Sequence, residues 1–132
     1  MESYMNRISN TGIVPVVKIL EKEDAYPLAK ALLNGGIDVI EVTYRSEHAT
    51  SAIQTISEQL PDMLVGAGTV LSVEQAKEAV EAGAKFIITP GFNTKVVQWC
   101  LDHDVEVYPG VSTASEVEMA LSMGLTQLKF FP

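Results

Sequence analysis

The sequence predicts an α/β protein of the (β/α)₈ barrel type, built from repeated β-strand and α-helix units. Short apolar runs rich in β-branched residues start about 20 to 25 residues apart, with stretches of helical spacing between them. The runs are apolar along their length, as is typical of parallel strands covered on both faces. Several end in small or polar residues, such as "EVTYR", "GAGT", "TPG" and "PGVST". This repetition of polar strand ends favours a barrel, whose strand ends meet at one face.

The predicted elements alternate along the chain. Six strands are predicted, at residues 12–20, 37–45, 63–70, 85–91, 105–112 and 126–132. Five helices occupy the intervals, and three of them close on a glycine suited to a left-handed C-cap: 23–35, 72–83 and 114–124. Ser46, ahead of the helical stretch 47–60, and Ser72, three residues before Gln75, are predicted to cap helix N-termini.

Two architectures fit six strands with five intervening helices. One is an open doubly wound sheet, and the other is the first three quarters of a (β/α)₈ barrel. The recurrence of equivalent positions in every unit favours the barrel, because a doubly wound sheet concentrates such features at a switch point. A complete barrel typically needs roughly 200 residues or more. We therefore expect residues 1–132 to form a single partial barrel domain, with two β-α units missing after Pro132.

Composition and charge limit the partners and the compartment. A net charge of −8 argues against nucleic acid, because phosphate-backbone binding needs clustered lysine and arginine. No apolar run approaches the roughly 20 residues that a membrane span needs, and residues 1–12 lack the basic-then-apolar order of a secretory signal. Cys100 is the single cysteine, which agrees with a reducing compartment, and we expect it to be a small buried helix residue. A cytoplasmic protein without a membrane partner is expected.

Three of the predicted strands follow a glycine at the same spacing. The second, fourth and sixth strands follow Gly36, Gly83 and Gly124, and the residues five positions after those glycines are Glu41, Ile88 and Lys129. The inward residues of alternate barrel strands lie in one layer, so we expect Glu41 and Lys129 to project into the same layer of the interior. The two-residue period of a strand adds further inward residues nearer the C-terminal mouth: Thr43, Pro90, Phe131 and Arg45.

A lysine facing a glutamate inside a barrel suggests Schiff-base chemistry. A buried lysine loses its proton readily enough to attack a carbonyl, and a nearby carboxylate can shuttle protons during carbinolamine formation and carbon-carbon cleavage. The alternatives are a solvated edge lysine and a merely structural buried pair, which costs desolvation. Arg45 at the mouth offers a bidentate donor for a carboxylate or phosphate, unless it is an ordinary surface arginine. These residues outline a metal-independent aldolase.

Neither a metal nor a cofactor is expected. His48 and His103 have no partner at metal-ligand spacing, and each is predicted to be a capping, packing or solvated residue. The "GAGT" segment, residues 66–69, lacks the third glycine of the dinucleotide fingerprint, because leucine stands at position 71. Its glycines are expected to let a ligand or backbone approach closely, with the Thr69 hydroxyl and local amides as donors.

Several motifs in the right order resemble one known family. The motifs "GIVPVV", "GGIDVIEVTYRS", "VGAGTVL", "AGAKFIITPG", "YPGVSTASEVEMALSMGL" and "LKFFP" are similar to those of the bacterial 2-keto-3-deoxy-6-phosphogluconate (KDPG) aldolases, whose members often also cleave 4-hydroxy-2-oxoglutarate (KHG). The resemblance implies a class I aldolase, a lyase of the Entner-Doudoroff pathway, on a (β/α)₈ barrel that is usually a homotrimer. It would cleave KDPG to pyruvate and glyceraldehyde 3-phosphate, KHG to pyruvate and glyoxylate, or both.

The resemblance also implies roles for individual residues. Lys129 of "KFFP" would be the Schiff-base lysine, and Glu41 of "EVT" the general acid/base. Four residues would line the pyruvate end of the 2-keto acid, with the first gripping its carboxylate: Arg45, Thr69, Pro90 and Phe131.

Other interpretations stay open. The phosphogalactonate aldolases resemble the chain less, because their second strand lacks the arginine that "EVTYR" supplies. The resemblance implies two further strands whose loops would hold a substrate phosphate, and we expect residues 1–132 to lack them. A truncated barrel acting only as an assembly or interaction fragment, with the lysine-glutamate pair as a remnant, is therefore the competing hypothesis.

Overall fold

A computed structural model describes residues 3–132 of the chain. This part of the chain forms six β-strands and six α-helices, with a single 3₁₀ turn at Lys22–Asp24. None of the helices within residues 3–132 has both the length and the apolarity that crossing a membrane requires. The elements in chain order are α1 (Met5–Thr11), β1 (Val16–Val17), α2 (Ala25–Asn34), β2 (Val39–Thr43), α3 (Ala49–Gln59), β3 (Leu64–Gly68), α4 (Val73–Ala82), β4 (Phe86–Thr89), α5 (Thr94–Asp102), β5 (Glu106–Val111), α6 (Ala114–Ser122) and β6 (Lys129–Phe130).

The strands form one parallel sheet in the order of the sequence. Each strand pairs with the next, from β1 to β6, and the sheet curls into part of a barrel with helices on its outer face. A doubly wound sheet would reverse its strand order at a switch point. The sequential order therefore rules out the doubly wound alternative and agrees with an incomplete barrel.

The two faces of the sheet bury different clusters. The outer cluster packs strand residues such as Ile40 and Val65 against the helices. The inner cluster contains alternate strand residues: Val39, Leu64, Phe86, Ile88 and Tyr108. Because successive strand residues point to opposite faces, Glu41 and Thr43 share the inner face with Val39. This confirms the prediction that Glu41 and Thr43 of β2 and Ile88 of β4 point to the inner face.

Helix α1 closes the N-terminal side of this inner cluster. Tyr4, Met5 and Ile8 pack against the cluster. The Arg7 Nε donates a hydrogen bond to Asp38 Oδ2 at 3.0 Å, and its guanidinium also donates to the backbone carbonyl of Asp62. Asp38 and Asp62 precede β2 and β3, so the helix is fastened to the N-terminal edge of the sheet. The sequence did not predict this helix.

The predicted helix ends are confirmed in part. Ser72 caps α4, because its side chain accepts a hydrogen bond from the Gln75 backbone. Ser46 does not cap α3; the N-cap residue is His48, and the Ser46 hydroxyl accepts from the His48 backbone instead. Gly83 and Gly124 (φ 116° and 83°) are left-handed as predicted, whereas Gly35 (φ −86°) is not.

Cys100 is fully buried in α5, as predicted. Burial raises the pKa of its thiol to about 12. The thiolate is the nucleophilic form of cysteine, so this side chain packs as a small apolar group.

Candidate active site

The predicted site residues lie along the C-terminal edge of the parallel sheet. Glu41 is in the middle of β2 and Lys129 is the first residue of β6, where it pairs with Gly110 near the end of β5. The others lie just beyond strand ends: Arg45 after β2, Thr69 after β3, Pro90 after β4 and Phe131 after β6. The carboxyl ends of parallel strands are where barrels and open α/β sheets bind ligands.

Glu41 is a buried ionisable residue of this site. Its residue is 3% exposed, and its Oε1 is a buried side-chain atom that has no hydrogen-bond partner within residues 3–132. Burial raises the pKa of the Glu41 carboxyl, and the positive charges of Lys129 and Arg45 act in the opposite direction. Glu41 therefore sits in the electrostatic field of both cations and holds its proton more readily than an exposed glutamate.

Lys129, on the last strand of the sheet, is close enough for its positive charge to act on the Glu41 carboxyl. Its Nζ lies 4.3 Å from the centroid of the Phe131 ring, a cation-π contact. Glu41 and Lys129, both within the described residues, form no direct ion pair. Lys129 is only partly buried, whereas the sequence suggested a buried amine. The reason is that β6 is an edge strand of the described sheet, and the neighbouring Phe130 is 75% exposed.

Arg45 is anchored by a buried threonine. The Arg45 Nε donates to Thr43 Oγ1 at 2.8 Å, and the Thr43 hydroxyl donates to the Val17 carbonyl of β1 at 2.8 Å. Thr43 is 1% exposed, whereas Arg45 is exposed. The carbonyl can only accept, so the hydroxyl proton is committed to it and a lone pair faces the guanidinium. Sequence reasoning placed Thr43 on the inward side but assigned it no role.

Thr69 has an unusual backbone. Its φ of 52° is in the left-handed region, which β-branched residues rarely adopt. Such conformations cost free energy and often occur at functional sites. Thr69 follows β3 directly and is partly buried, consistent with a residue at a ligand-facing edge.

Glycines at the strand ends allow close approaches of two kinds. A Cβ on Gly110 would lie 2.1 Å from the Pro90 carbonyl oxygen, so the absence of a side chain here lets the ends of β4 and β5 approach closely. In "GAGT" the neighbours are side chains instead. A Cβ on Gly66 would collide with the Phe86 ring, and one on Gly68 with the Glu41 carboxylate. The interpretation that these two glycines admit a ligand or backbone is therefore corrected.

The fold and the site together define a class. The curled parallel sheet with helices on its outer face, and with a buried carboxyl and a partly buried lysine towards the C-terminal ends of its strands, makes this an α/β protein of the barrel type. Sequence comparison narrows the class to one family. The chain belongs to the KDPG and KHG aldolase family, whose sequence model matches residues 4–132. The family resemblance of the motifs is thus confirmed.

Two curated relatives and one solved structure illustrate the similarity. The chain is 47% identical over 132 residues to the 2-dehydro-3-deoxy-phosphogluconate aldolase of Treponema pallidum, covering 100% of this chain and 63% of that protein. It is 44% identical over 126 residues to the KHG/KDPG aldolase of Escherichia coli K12, covering 95% of this chain and 59% of that protein. The chain thus spans less than two thirds of the length of these relatives.

The solved structure is the KDPG aldolase of Legionella pneumophila with pyruvate captured at low pH as a covalent carbinolamine intermediate. The two superpose with a TM-score of 0.87 at 43% sequence identity, over 90% of this chain and 58% of that one.

Proposed function

We propose that the whole protein is a class I aldolase that cleaves KDPG to pyruvate and glyceraldehyde 3-phosphate, KHG to pyruvate and glyoxylate, or both. Family membership and the names of the relatives support this assignment. The observation that carries it is the environment of Glu41: a buried carboxyl with an unpartnered Oε1, lying in the field of Lys129 and Arg45. A carbinolamine in a relative's structure favours the covalent mechanism.

The first step forms the covalent bond. In its unprotonated form, the Lys129 Nζ attacks the C2 carbonyl of the 2-keto acid and gives a carbinolamine. The protonated Glu41 carboxyl donates its proton to the departing hydroxyl, which leaves as water. The product is an iminium ion between Lys129 and the substrate.

The second step breaks the carbon-carbon bond. The Glu41 carboxylate takes the proton of the C4 hydroxyl, the C3–C4 bond breaks, and its electron pair moves to the iminium as an enamine. The aldehyde departs, a proton returns to C3, and hydrolysis releases pyruvate and free Lys129. A carboxyl with a raised pKa suits this role, because it holds a proton more readily than an exposed glutamate and can still give it up to the substrate.

The remaining site residues are proposed to bind the pyruvate end of the substrate. Arg45 would pair with the substrate carboxylate through its guanidinium, whose stem is fixed by the bond from Nε to Thr43. Thr69 would offer a hydroxyl and local amides. Pro90 and Phe131 would provide apolar surface beside C3.

The larger architecture is part of the same proposal. In the whole protein, the six strands would belong to a complete (β/α)₈ barrel with a substrate-phosphate site in its further loops, assembled as a homotrimer in the cytoplasm. The superposition on a longer KDPG aldolase supports the barrel. Three parts of this proposal remain predictions: that the protein is a homotrimer, that it is cytoplasmic, and that residues 1–132 form a single partial barrel domain.

Reductive trapping tests the proposed activity. The protein as its gene encodes it is incubated with pyruvate and borohydride, and its intact mass is measured. We expect the mass of one reduced pyruvate adduct in the wild type and in Lys85→Ala, because Lys85 precedes β4 at the opposite edge of the sheet. We expect no adduct in Lys129→Ala. If the wild-type protein carries no adduct, the competing hypothesis of a non-catalytic assembly fragment is the better explanation.

A further inference from the structure

Gly68 lies next to the carboxyl group of Glu41. The two residues are on the inner face of neighbouring strands, where β2 pairs with β3. A Cβ on Gly68 would lie 1.8 Å from Glu41 Oε1, 2.5 Å from its Cδ and 2.7 Å from its Cγ. The three atoms nearest to that position all belong to Glu41. The missing side chain of Gly68 is therefore the space that the end of Glu41 occupies.

Packing, rather than hydrogen bonding, holds that part of Glu41 in place. Oε1 has no hydrogen-bond partner within the described residues, and the residue is 3% exposed. A buried polar atom without a partner is costly, and such atoms in native proteins often mark a site that a ligand completes. The absence of a side chain at Gly68 thus allows the Oε1 of Glu41 to lie where it does.

Gly66 provides a natural comparison on the same strand and face. A Cβ there would lie 2.2 Å from the ring of Phe86, which is fully buried in the inner apolar cluster. Gly66 therefore makes room for the core, whereas Gly68 makes room for a charged group of the site. The same substitution at the two positions should disturb different parts of the molecule.

We infer that Gly68 is a positioning residue for the acid/base carboxylate of Glu41, and this inference rests on the proposed aldolase function. Any side chain at position 68 would push the carboxylate away from the place where it meets the substrate hydroxyl. Because the colliding atoms are the end of a flexible side chain, Glu41 yields before the strands separate. The consequence is a displaced carboxylate in a folded protein.

A double-mutant cycle tests the contact independently of activity. Thermal unfolding is compared for Gly68→Ala in the wild type and in Glu41→Ala, which also gives a folded reference if Gly68→Ala alone unfolds. We expect the loss in Tm at position 68 to shrink or vanish once Glu41 is truncated. Gly66→Ala should cause the same loss in both backgrounds. An equal loss from Gly68→Ala in both backgrounds would overturn the inference.

Steady-state cleavage tests the consequence for the reaction. In Gly68→Ala we expect kcat to fall by about 100-fold, the lower range for a positioned acid/base group, with a smaller change in KM and a shifted pH profile. Gly66→Ala should keep the wild-type pH profile. A Gly68→Ala variant with wild-type kcat and pH profile contradicts the positioning role. If the wild type itself neither traps pyruvate nor cleaves substrate, the proposed function fails, and that result is distinguishable because the stability cycle needs no turnover.

Discussion

Glu41 is buried on the inner face of the sheet, and its Oε1 lacks a hydrogen-bond partner within residues 3–132. A buried carboxyl in this condition lowers the stability of a fold unless it is neutral or paired. Active sites commonly retain such groups at the expense of stability. The stability of the protein should therefore depend on pH through this residue.

The pH dependence of stability should differ between the wild type and Glu41→Gln. Burial raises the folded-state pKa of Glu41 above its ordinary value of 4.5. Between 4.5 and the folded-state pKa the folded protein binds more protons than the unfolded chain, so the free energy of unfolding falls as pH rises through that window. Glu41→Gln removes this decline. Urea titrations across the window check it, and parallel curves for the two proteins would refute the shift.

Thr43 is expected to act on substrate affinity through Arg45. In Thr43→Val, the Arg45 Nε loses its partner, and a hydrogen bond to a charged group contributes about 1.5–3 kcal/mol when buried. Because Arg45 is exposed, we expect a loss at the lower end of this energy range. It corresponds to an increase of about 10-fold in KM for the 2-keto acid, with little change in kcat. Steady-state kinetics measure this.

Two variants serve as controls for Thr43→Val. Thr43→Ser keeps the hydroxyl and should retain the wild-type KM. Thr89→Val removes an equally buried hydroxyl at the end of β4, which donates to the Gly91 carbonyl rather than accepting from an arginine. If Thr89→Val raises KM as much as Thr43→Val, the effect belongs to buried threonines in general and the Arg45 argument fails.

The sequence predicted which β2 side chains point to the inner face of the sheet, but not the contacts that they make there. The two-residue period of a strand is enough to place Glu41 and Thr43 inward. The hydrogen bond from Arg45 to the Thr43 hydroxyl and the packing of Glu41 beside Gly68 depend on side-chain conformations. Periodicity carries no information about those conformations.

Among the elements, helix α1 shows where sequence patterns fall short. It has seven residues and none of them is fully buried. Its position depends on groups distant in sequence, because the Tyr4 backbone donates to Glu106 and Arg7 pairs with Asp38. The strands and the helices between them were predictable because each carries its own apolar period.

The attachment of α1 should respond to acid. The Thr11 hydroxyl, which donates to Asp38 Oδ1 at 2.5 Å, is the largest influence holding the pKa of Asp38 below its ordinary value of 3.8, and Arg7 adds to it. This stabilisation is present above pH 3.8 and is lost as pH falls through the folded-state pKa. Thr11→Val should cost about 0.5–1 kcal/mol at neutral pH, the range for an exposed contact.

Denaturant melts at neutral and acidic pH check the Thr11→Val prediction. The difference from the wild type should shrink on acidification below 3.8, and Thr11→Ser should behave as the wild type. A difference that is constant with pH would show that Thr11 acts through packing and not through Asp38.

At the scale of the whole molecule, the described sheet has two open edges. The outermost strands, β1 and β6, are two residues long, and Phe130 and Phe131 beside the β6 edge are 75% and 55% exposed. Open edges with apolar side chains favour pairing with other chains. The strand order fixes the barrel-type topology, which the repeated units already predicted.

A polypeptide of residues 1–132 alone is therefore expected to self-associate or to fold poorly. Light scattering at several concentrations measures this. Phe130→Asp should reduce the association, because it places a charge on the exposed edge. A compact, monodisperse monomer of the unmodified polypeptide would contradict the expectation.

The central claim is that Lys129 forms the covalent bond to the keto acid. Peptide mapping of the protein after reduction with pyruvate and borohydride tests it most directly, because it identifies the modified residue. We predict a single pyruvate adduct on the peptide that contains Lys129. An adduct on another lysine, or a wild-type protein that carries none, would contradict the account.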